Sequence, residues 1–266
     1  MNDASWRVPP GAAHKRNARH LWLGTATPTD ATEVSMTFQT PSHGAPPRFA
    51  ELVEVQRQAG IVYAHHALAV AENDVFILTS IGLEFDRQPG GPTLDHLDGT
   101  VAVRGEDLAQ GRGRPKSAIL EFSMVADEQP FARGAATVTF VHGPVYERMR
   151  RRELDADPTP PAPEPDVPRT TDVISSTVAT DPTDPILADH GGDHVSAMAM
   201  VCAIEASLRA ERPDSLLEAL RVDFTSYAEL TPAPTLDYRL DPAGAFDGSI
   251  TQAGRRKAVF SGRITV

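Results

Sequence analysis

The stretch RFAELVEVQRQAGIVYAHHA, Arg48 to Ala67, decides how this chain is read. On a wheel of 100° per residue Leu52, Val53, Val55, Ala59, Ile61, Val62 and Ala64 fall on every side. The sequence therefore predicts a helix wrapped by other structure rather than laid on a surface. Glu54 and Arg57 lie one turn apart near its middle, with Gln58 one turn beyond Glu54 on the same face. Burying either charge alone costs several kcal/mol, so the two must pair with each other, with a ligand, or with both.

On the N-terminal side, Arg19 to Gly24 and Ala31 to Gln39 read as strands, and Thr40 to Pro47, with three prolines and a glycine, as the loop into the helix. Beyond the helix come β-like runs at Val75 to Phe85, Gly99 to Arg104, Ser117 to Val125 and Ala132 to Val141. One helix followed by hairpin-connected strands suggests an antiparallel sheet curled around it, an α+β arrangement. Residues 152–169 (RELDADPTPPAPEPDVPR) are dense in Pro and acid and read as an extended linker. The pattern then recurs: a strand at Val173 to Ala179, a loop, an apolar helix at Val195 to Leu208, and strands at Leu220 to Tyr227, Thr235 to Leu240, Phe246 to Gln252 and Ala258 to Val266. This implies an internal duplication, with a first unit at 1–151, the linker at 152–169 and a second unit at 170–266.

The 266 residues carry a net charge of −11 and one cysteine, Cys202. The acidic balance argues against a general nucleic-acid binder, whose phosphate contacts need a basic face. No apolar run is long enough to span a membrane and the N-terminus lacks a signal-peptide core, so the expected location is cytoplasmic.

The motifs then resemble a known family. E-x-x-R-Q-A-G at Glu54 to Gly60 followed by V-x-A-H at Val62 to His65 is similar to the first repeat of the A-factor biosynthesis hotdog family of γ-butyrolactone synthase-like proteins. VPPGAAHKR at Val8 to Arg16, PSH at Pro41 to His43, PVYERMR at Pro144 to Arg150, DHGGDHV at Asp189 to Val195 and FTSYAELTPAP at Phe224 to Pro234 follow in the same order. The resemblance implies a tandem hotdog fold, each half a long helix wrapped by a curled sheet. It also implies acyl transfer of a β-ketoacyl group from an acyl carrier protein to a hydroxyl of dihydroxyacetone phosphate, with no cofactor. The second repeat departs from the pattern: Cys202 stands where the family has its Glu, and Glu205 where it has its Arg.

For that chemistry Glu54 reads as a general base and Arg57 as its orienting cation or as a clamp on a phosphate or β-keto oxygen; an ordinary i,i+3 ion pair is the structural alternative. Gln58, on the face of Glu54, is placed with them at the substrate. The loop and helix start from Gly44 to Phe49 are the expected seat of the thioester carbonyl, because a helix N-terminus offers N–H groups and a favourable dipole. His43 is a further acid or base, or an exposed loop residue. Asp189, His190, Asp193 and His194 have the composition of metal ligands but no third cluster, and are read as capping and loop chemistry, with no metal. His65 and His66 are read as pocket lining or sheet contacts, and Cys202 as a buried apolar filler. Arg112, Arg114 and Lys116, with Arg148, Arg150 and Arg151, form basic clusters that suit an acidic carrier protein or are solvated charge. Two repeats make either a monomeric pseudo-dimer or a homodimer of such units. A hotdog dehydratase or thioesterase, and a non-catalytic acyl-binding protein, stay open as alternatives.

Overall fold

A computed structural model describes residues 4–42, 46–88, 95–111, 114–155, 173–179, 181, 183–184, 186–187 and 192–266, without the side chains of 107–111 and 153–155. The first half contains β1 (Trp6–Arg7), β2 (Leu23–Pro28), β3 (Glu33–Gln39), α1 (Phe49–His66), β4 (Asp74–Phe85), β5 (Asp98–Gly111), β6 (Arg114–Ala126), β7 (Gln129–His142) and α2 (Gly143–Asp155). The second contains β8 (Ile174–Thr177), β9 (His194–Val195), α3 (Ala197–Glu211), β10 (Leu217–Phe224), β11 (Ala228–Glu229), β12 (Thr235–Leu240), β13 (Ala245–Gln252) and β14 (Arg255–Ile264).

Among the described residues, twelve strands form one antiparallel sheet in the order β1-β2-β3-β5-β6-β7-β4-β10-β14-β13-β12-β8. Its inner part is a palindrome. Reading outward from the centre, β4-β7-β6-β5-β3 on one side is matched in chain order by β10-β14-β13-β12-β8 on the other. The halves join where Ser80–Glu84 of β4 pairs with Ala219–Asp223 of β10.

Alternation in the strands selects the face that holds the helices. In β3 Val34, Met36 and Phe38 point inward, and in β6 Ala118, Leu120, Phe122 and Met124 do the same. Fifteen of the eighteen residues of α1 are buried, so the absence of a polar face in the sequence had the meaning expected of it. Tyr63 fixes the end of α1: its hydroxyl donates to Thr32 O at 2.7 Å and accepts from the Gly105 N–H at 3.0 Å. A Cβ on Gly105 would lie 2.5 Å from the Tyr63 ring, so the strand comes this close only as glycine.

Two local expectations fail. The strand expected at Arg19 to Gly24 begins later, at Leu23, because Asn17 accepts the Arg19 N–H at 3.0 Å and turns Ala18–His20 into a short 3₁₀ helix. Residues 152–155, expected as the start of the extended linker, are the last turn of α2; no proline interrupts the segment before Pro158. The rest of that linker, and His43, Gly44, Arg112, Asp189 and His190, lie outside the described residues. Among the described residues no helix is long and apolar enough to cross a membrane.

Candidate active site

The wrapped position of α1 leaves Glu54 fully buried, and its carboxylate gathers donors from two segments. Arg57 Nε and Nη2 donate at 2.7 and 2.9 Å, Gln58 Nε2 at 2.9 Å, and the Lys15 ammonium stands 3.0 Å away. Lys15 is buried and follows the turn Pro10–Ala13. Gln58, placed at the substrate by the sequence, also donates to His20 O and accepts the Trp22 N–H, so it ties the N-terminal segment to α1. The cluster holds two cations against one carboxylate, and of these groups Arg57 reaches open space, with 15% of its side chain exposed.

Arg57 lines a cavity of about 400 Å³ between α1, the sheet and the start of α3. Its walls are mostly apolar, including Ile61, Phe76, Leu120, Phe122 and Val138. Gly60 admits β6 to this wall, since a Cβ there would lie 3.1 Å from Leu120 and 3.2 Å from Phe122. Ser196, Ala197 and Met198 line the same cavity. Ser196 caps α3 by accepting the Ala199 N–H at 3.1 Å, so the cavity meets a helix N-terminus, where first-turn N–H groups and the positive end of the dipole collect.

At the pseudo-equivalent position the arrangement is closed. Glu205 lies eight residues after the start of α3, as Arg57 does in α1. Its carboxylate accepts the N–H groups of Phe49 and Ala50 at 3.0 Å each, with Arg209 at 2.9 Å. Burial pushes the Glu205 carboxyl up, against the pull of those N–H groups and of Arg209. The cavity beside it measures only about 50 Å³. The start of α1, expected to seat the thioester carbonyl, is thus taken by the chain's own carboxylate, and Phe49 is buried with its ring 5.3 Å from that of Phe85. Beside Glu205, burial pushes the Cys202 thiol up to about 12, so it stays protonated at neutral pH.

Arg150, grouped by sequence with the basic rim, is buried instead. It donates to Asp193 at 3.1 Å and to both carboxylate oxygens of Glu229 at 3.1 and 3.0 Å, with its guanidinium 4.7 Å from the Tyr227 ring centre. Asp193 also bonds His194 at 2.8 Å. Together these contacts clamp the β9–β11 ribbon, and with it the cavity wall at His194 and Tyr227, to α2. Among the described residues no group of three or more His, Cys, Asp or Glu comes together as a metal site. Arg114, Lys116, Arg148 and Arg151 are exposed.

Residues 2–142 match the A-factor biosynthesis hotdog domain. The chain belongs to this family. A relative from Streptomyces virginiae, 2-oxo-3-(phosphooxy)propyl 3-oxoalkanoate synthase, is 25% identical over 248 residues, 84% of each chain. Among solved structures, the 12:0-ACP thioesterase of Umbellularia californica is similar at a TM-score of 0.57 and 10% identity, over 87% of this chain and 96% of that one. An acyl-ACP thioesterase of Bacteroides thetaiotaomicron gives 0.56 and 12%, over 86% and 97%. The fold is that of the hotdog superfamily, and the chain is an enzyme of that superfamily.

For this hotdog enzyme the sequence brought Glu54, Arg57 and Gln58 together correctly as neighbours but missed Lys15 as their partner. Lys15 is distant in sequence, and its neighbourhood carried no helical or strand period that would have placed it. The start of α3 was likewise missed, although Ser196 before an apolar run is an N-cap signal.

Proposed function

We propose that this enzyme transfers a β-ketoacyl group from an acyl-carrier-protein thioester to the hydroxyl of dihydroxyacetone phosphate. The observation that carries this reading is the placement of Arg57 and the start of α3 on one apolar cavity, beside a closed counterpart where Glu205 rests on the start of α1. A carboxylate on two helix-start N–H groups marks that position as suited to a negatively charged oxygen; at the open end the substrate supplies it. The acceptor hydroxyl attacks the thioester carbon and the carbonyl oxygen gathers charge. The C–S bond then breaks, and the departing thiolate takes up the proton the hydroxyl lost. The Arg57 fork serves the oxyanion or the adjacent β-keto oxygen, the first-turn N–H groups of α3 face it, and the apolar walls take the acyl chain. Glu54, itself held by Lys15 and Gln58, keeps Arg57 in place. The name of the Streptomyces virginiae relative describes the ester such a transfer makes, which supports the choice of acceptor.

The carrier protein is assigned to the face of α2. Val145, Arg148, Met149 and Arg152 share one side of that helix, all are exposed, and Met149 also lines the cavity. An acidic carrier would meet apolar contact and positive charge beside the opening, with Arg151, Arg114 and Lys116 adding to the field.

Mass spectrometry of purified protein mixed with a β-ketoacyl thioester, with and without dihydroxyacetone phosphate, tests the reading. A phosphorylated ester that needs the acceptor supports it. Acceptor-independent hydrolysis or dehydration would replace it with a thioesterase or dehydratase, and unchanged thioester with a binding protein.

A further inference from the structure

We propose that His194 is the base that takes the acceptor's hydroxyl proton, with Asp193 as its positioning residue. The assignment rests on the acyl-transfer reading. That reading needs a base within hydrogen-bond reach of the proton it removes. Glu54 is badly placed for it: the carboxylate is fully buried, receives Arg57, Gln58 and Lys15, and does not line the cavity. Among the described residues of the cavity wall the titratable side chains are Arg57, His194 and Tyr227. A guanidinium keeps its charge and a phenol holds its proton at neutral pH, so of the three the imidazole is the group that can accept one.

Placement joins this ring to the reacting atoms. His194 closes the short strand β9, and one residue, Val195, separates it from Ser196, the N-cap of α3. Two residues of extended chain span at most about 7 Å, so the ring springs from the wall within a side chain's length of the first-turn N–H groups assigned to the oxyanion. The attacking hydroxyl bonds to the carbon that carries that oxygen and therefore arrives at the same end of the cavity. Pairing of His194 with Glu229 on β11 fixes its backbone, and the Tyr227 ring, 4.9 Å away and edge to face, seats its flank.

The neighbours of the ring settle which nitrogen can act. His194 Nδ1 lies 2.8 Å from Asp193 Oδ1. A carboxylate only accepts, so Nδ1 carries the hydrogen and Nε2 offers its lone pair. The His194 hydrogen bond, and then Arg150, hold the Asp193 carboxyl below the usual carboxylate range against partial burial, so it stays an acceptor at neutral pH. Arg150 Nε donates to Asp193 Oδ2 at 3.1 Å while its two remaining nitrogens hold Glu229. Asp193 is thus anchored on one oxygen and orients the imidazole with the other. In the reaction the hydroxyl proton passes to His194 Nε2 as the C–O bond forms, and the same proton leaves Nε2 for the thiolate as the C–S bond breaks.

The test uses the full chain with a β-ketoacyl pantetheine thioester and dihydroxyacetone phosphate. His194→Gln should lower kcat/KM by about 100-fold or more, with thioester KM changed less than about threefold. His194→Ala should regain part of its turnover in added imidazole, which a residue needed only for the shape of the wall would not show. In Asp193→Asn, Arg150 can only donate and so takes the amide oxygen, which turns the amide N–H toward His194 Nδ1. NMR of the ring nitrogens without substrate should therefore find the hydrogen on Nδ1 in the wild type and on Nε2 in Asp193→Asn, and kcat of that variant should fall by about tenfold or more. Wild-type-like turnover of His194→Gln, no rescue by imidazole, or a wild-type ring with its hydrogen on Nε2 overturns the base while the transfer stands. Unchanged kcat in Asp193→Asn overturns the positioning role. A wild type that forms no ester overturns the transfer, and the base with it.

Discussion

Arg57 and Glu205 occupy the same place on their helices, eight residues from the helix start, and the difference between them separates an open site from a closed one. Glu205 reaches across to the start of α1 and satisfies it. Arg57 cannot do so at the start of α3, since both are positive, and the space there is the 400 Å³ cavity. On the proposed function, the chemistry is concentrated at the open position.

Arg57→Gln should therefore lower kcat/KM by about 10²- to 10³-fold, the loss that follows removal of one oxyanion donor. Stability should change little, because Glu54 keeps Lys15 and Gln58. Arg57→Lys should restore little activity, since an ammonium lacks the planar fork. Steady-state kinetics and thermal unfolding of both variants check this.

Glu205→Ala should have the opposite profile. Removing the carboxylate orphans the buried N–H groups of Phe49 and Ala50, at a cost of about 1–3 kcal/mol. Activity per folded molecule should stay within about twofold of wild type. Urea unfolding alongside kinetics separates the two effects, and a large loss of kcat would mean that the two ends are coupled.

The fold was legible because α1 is apolar all round and the strands alternate, so period and burial agreed before any contact was known. Within the site, Glu54, Arg57 and Gln58 were legible as neighbours because helical spacing is fixed. What each faces was not. Lys15, the start of α3 and the clamp of Arg150 on Asp193 and Glu229 are contacts between segments distant in sequence, where no period places one residue against another. Arg148, Arg150 and Arg151 look alike in the string, yet the turn of α2 exposes two and buries the third.

His14 predicts a pH effect on stability. Partial burial, then His65 and Arg57, push its folded ring down to about 4, below the roughly 6.5 of an unfolded histidine. Between those values the unfolded chain binds a proton that the folded chain refuses, so stability falls as pH drops through this window. Urea unfolding of wild type and His14→Gln at several pH values from 7 to 4 should show the wild type losing ground to the variant across that range.

The α2 face predicts a substrate-dependent effect. Replacing Arg148 and Arg151 with Glu should raise KM for a carrier-bound thioester by about tenfold or more and flatten its dependence on salt. Turnover of the corresponding pantetheine thioester, which has no acidic body to steer, should be unchanged. Equal loss with both substrates would mean that these arginines shape the site and not the encounter.

Glu54 needs a double substitution, since Glu54→Gln alone would abolish activity whether Glu54 is a base or the anchor of Arg57. Glu54→Gln leaves Lys15 and Arg57 facing each other without their anion, and loss of one partner from a buried pair costs about 3–5 kcal/mol. Adding Lys15→Met removes the stranded buried cation, so the double variant should be more stable than Glu54→Gln, a coupling of about 0.5–3 kcal/mol. If Glu54 acts only by holding Arg57, the amide oxygen that replaces its carboxylate still accepts from the Arg57 fork once the facing Lys15 charge is gone, and part of the activity should return with the stability. If Glu54 takes the proton itself, stability should return and turnover should not. Thermal unfolding and product formation measured on the same preparations decide between the two roles.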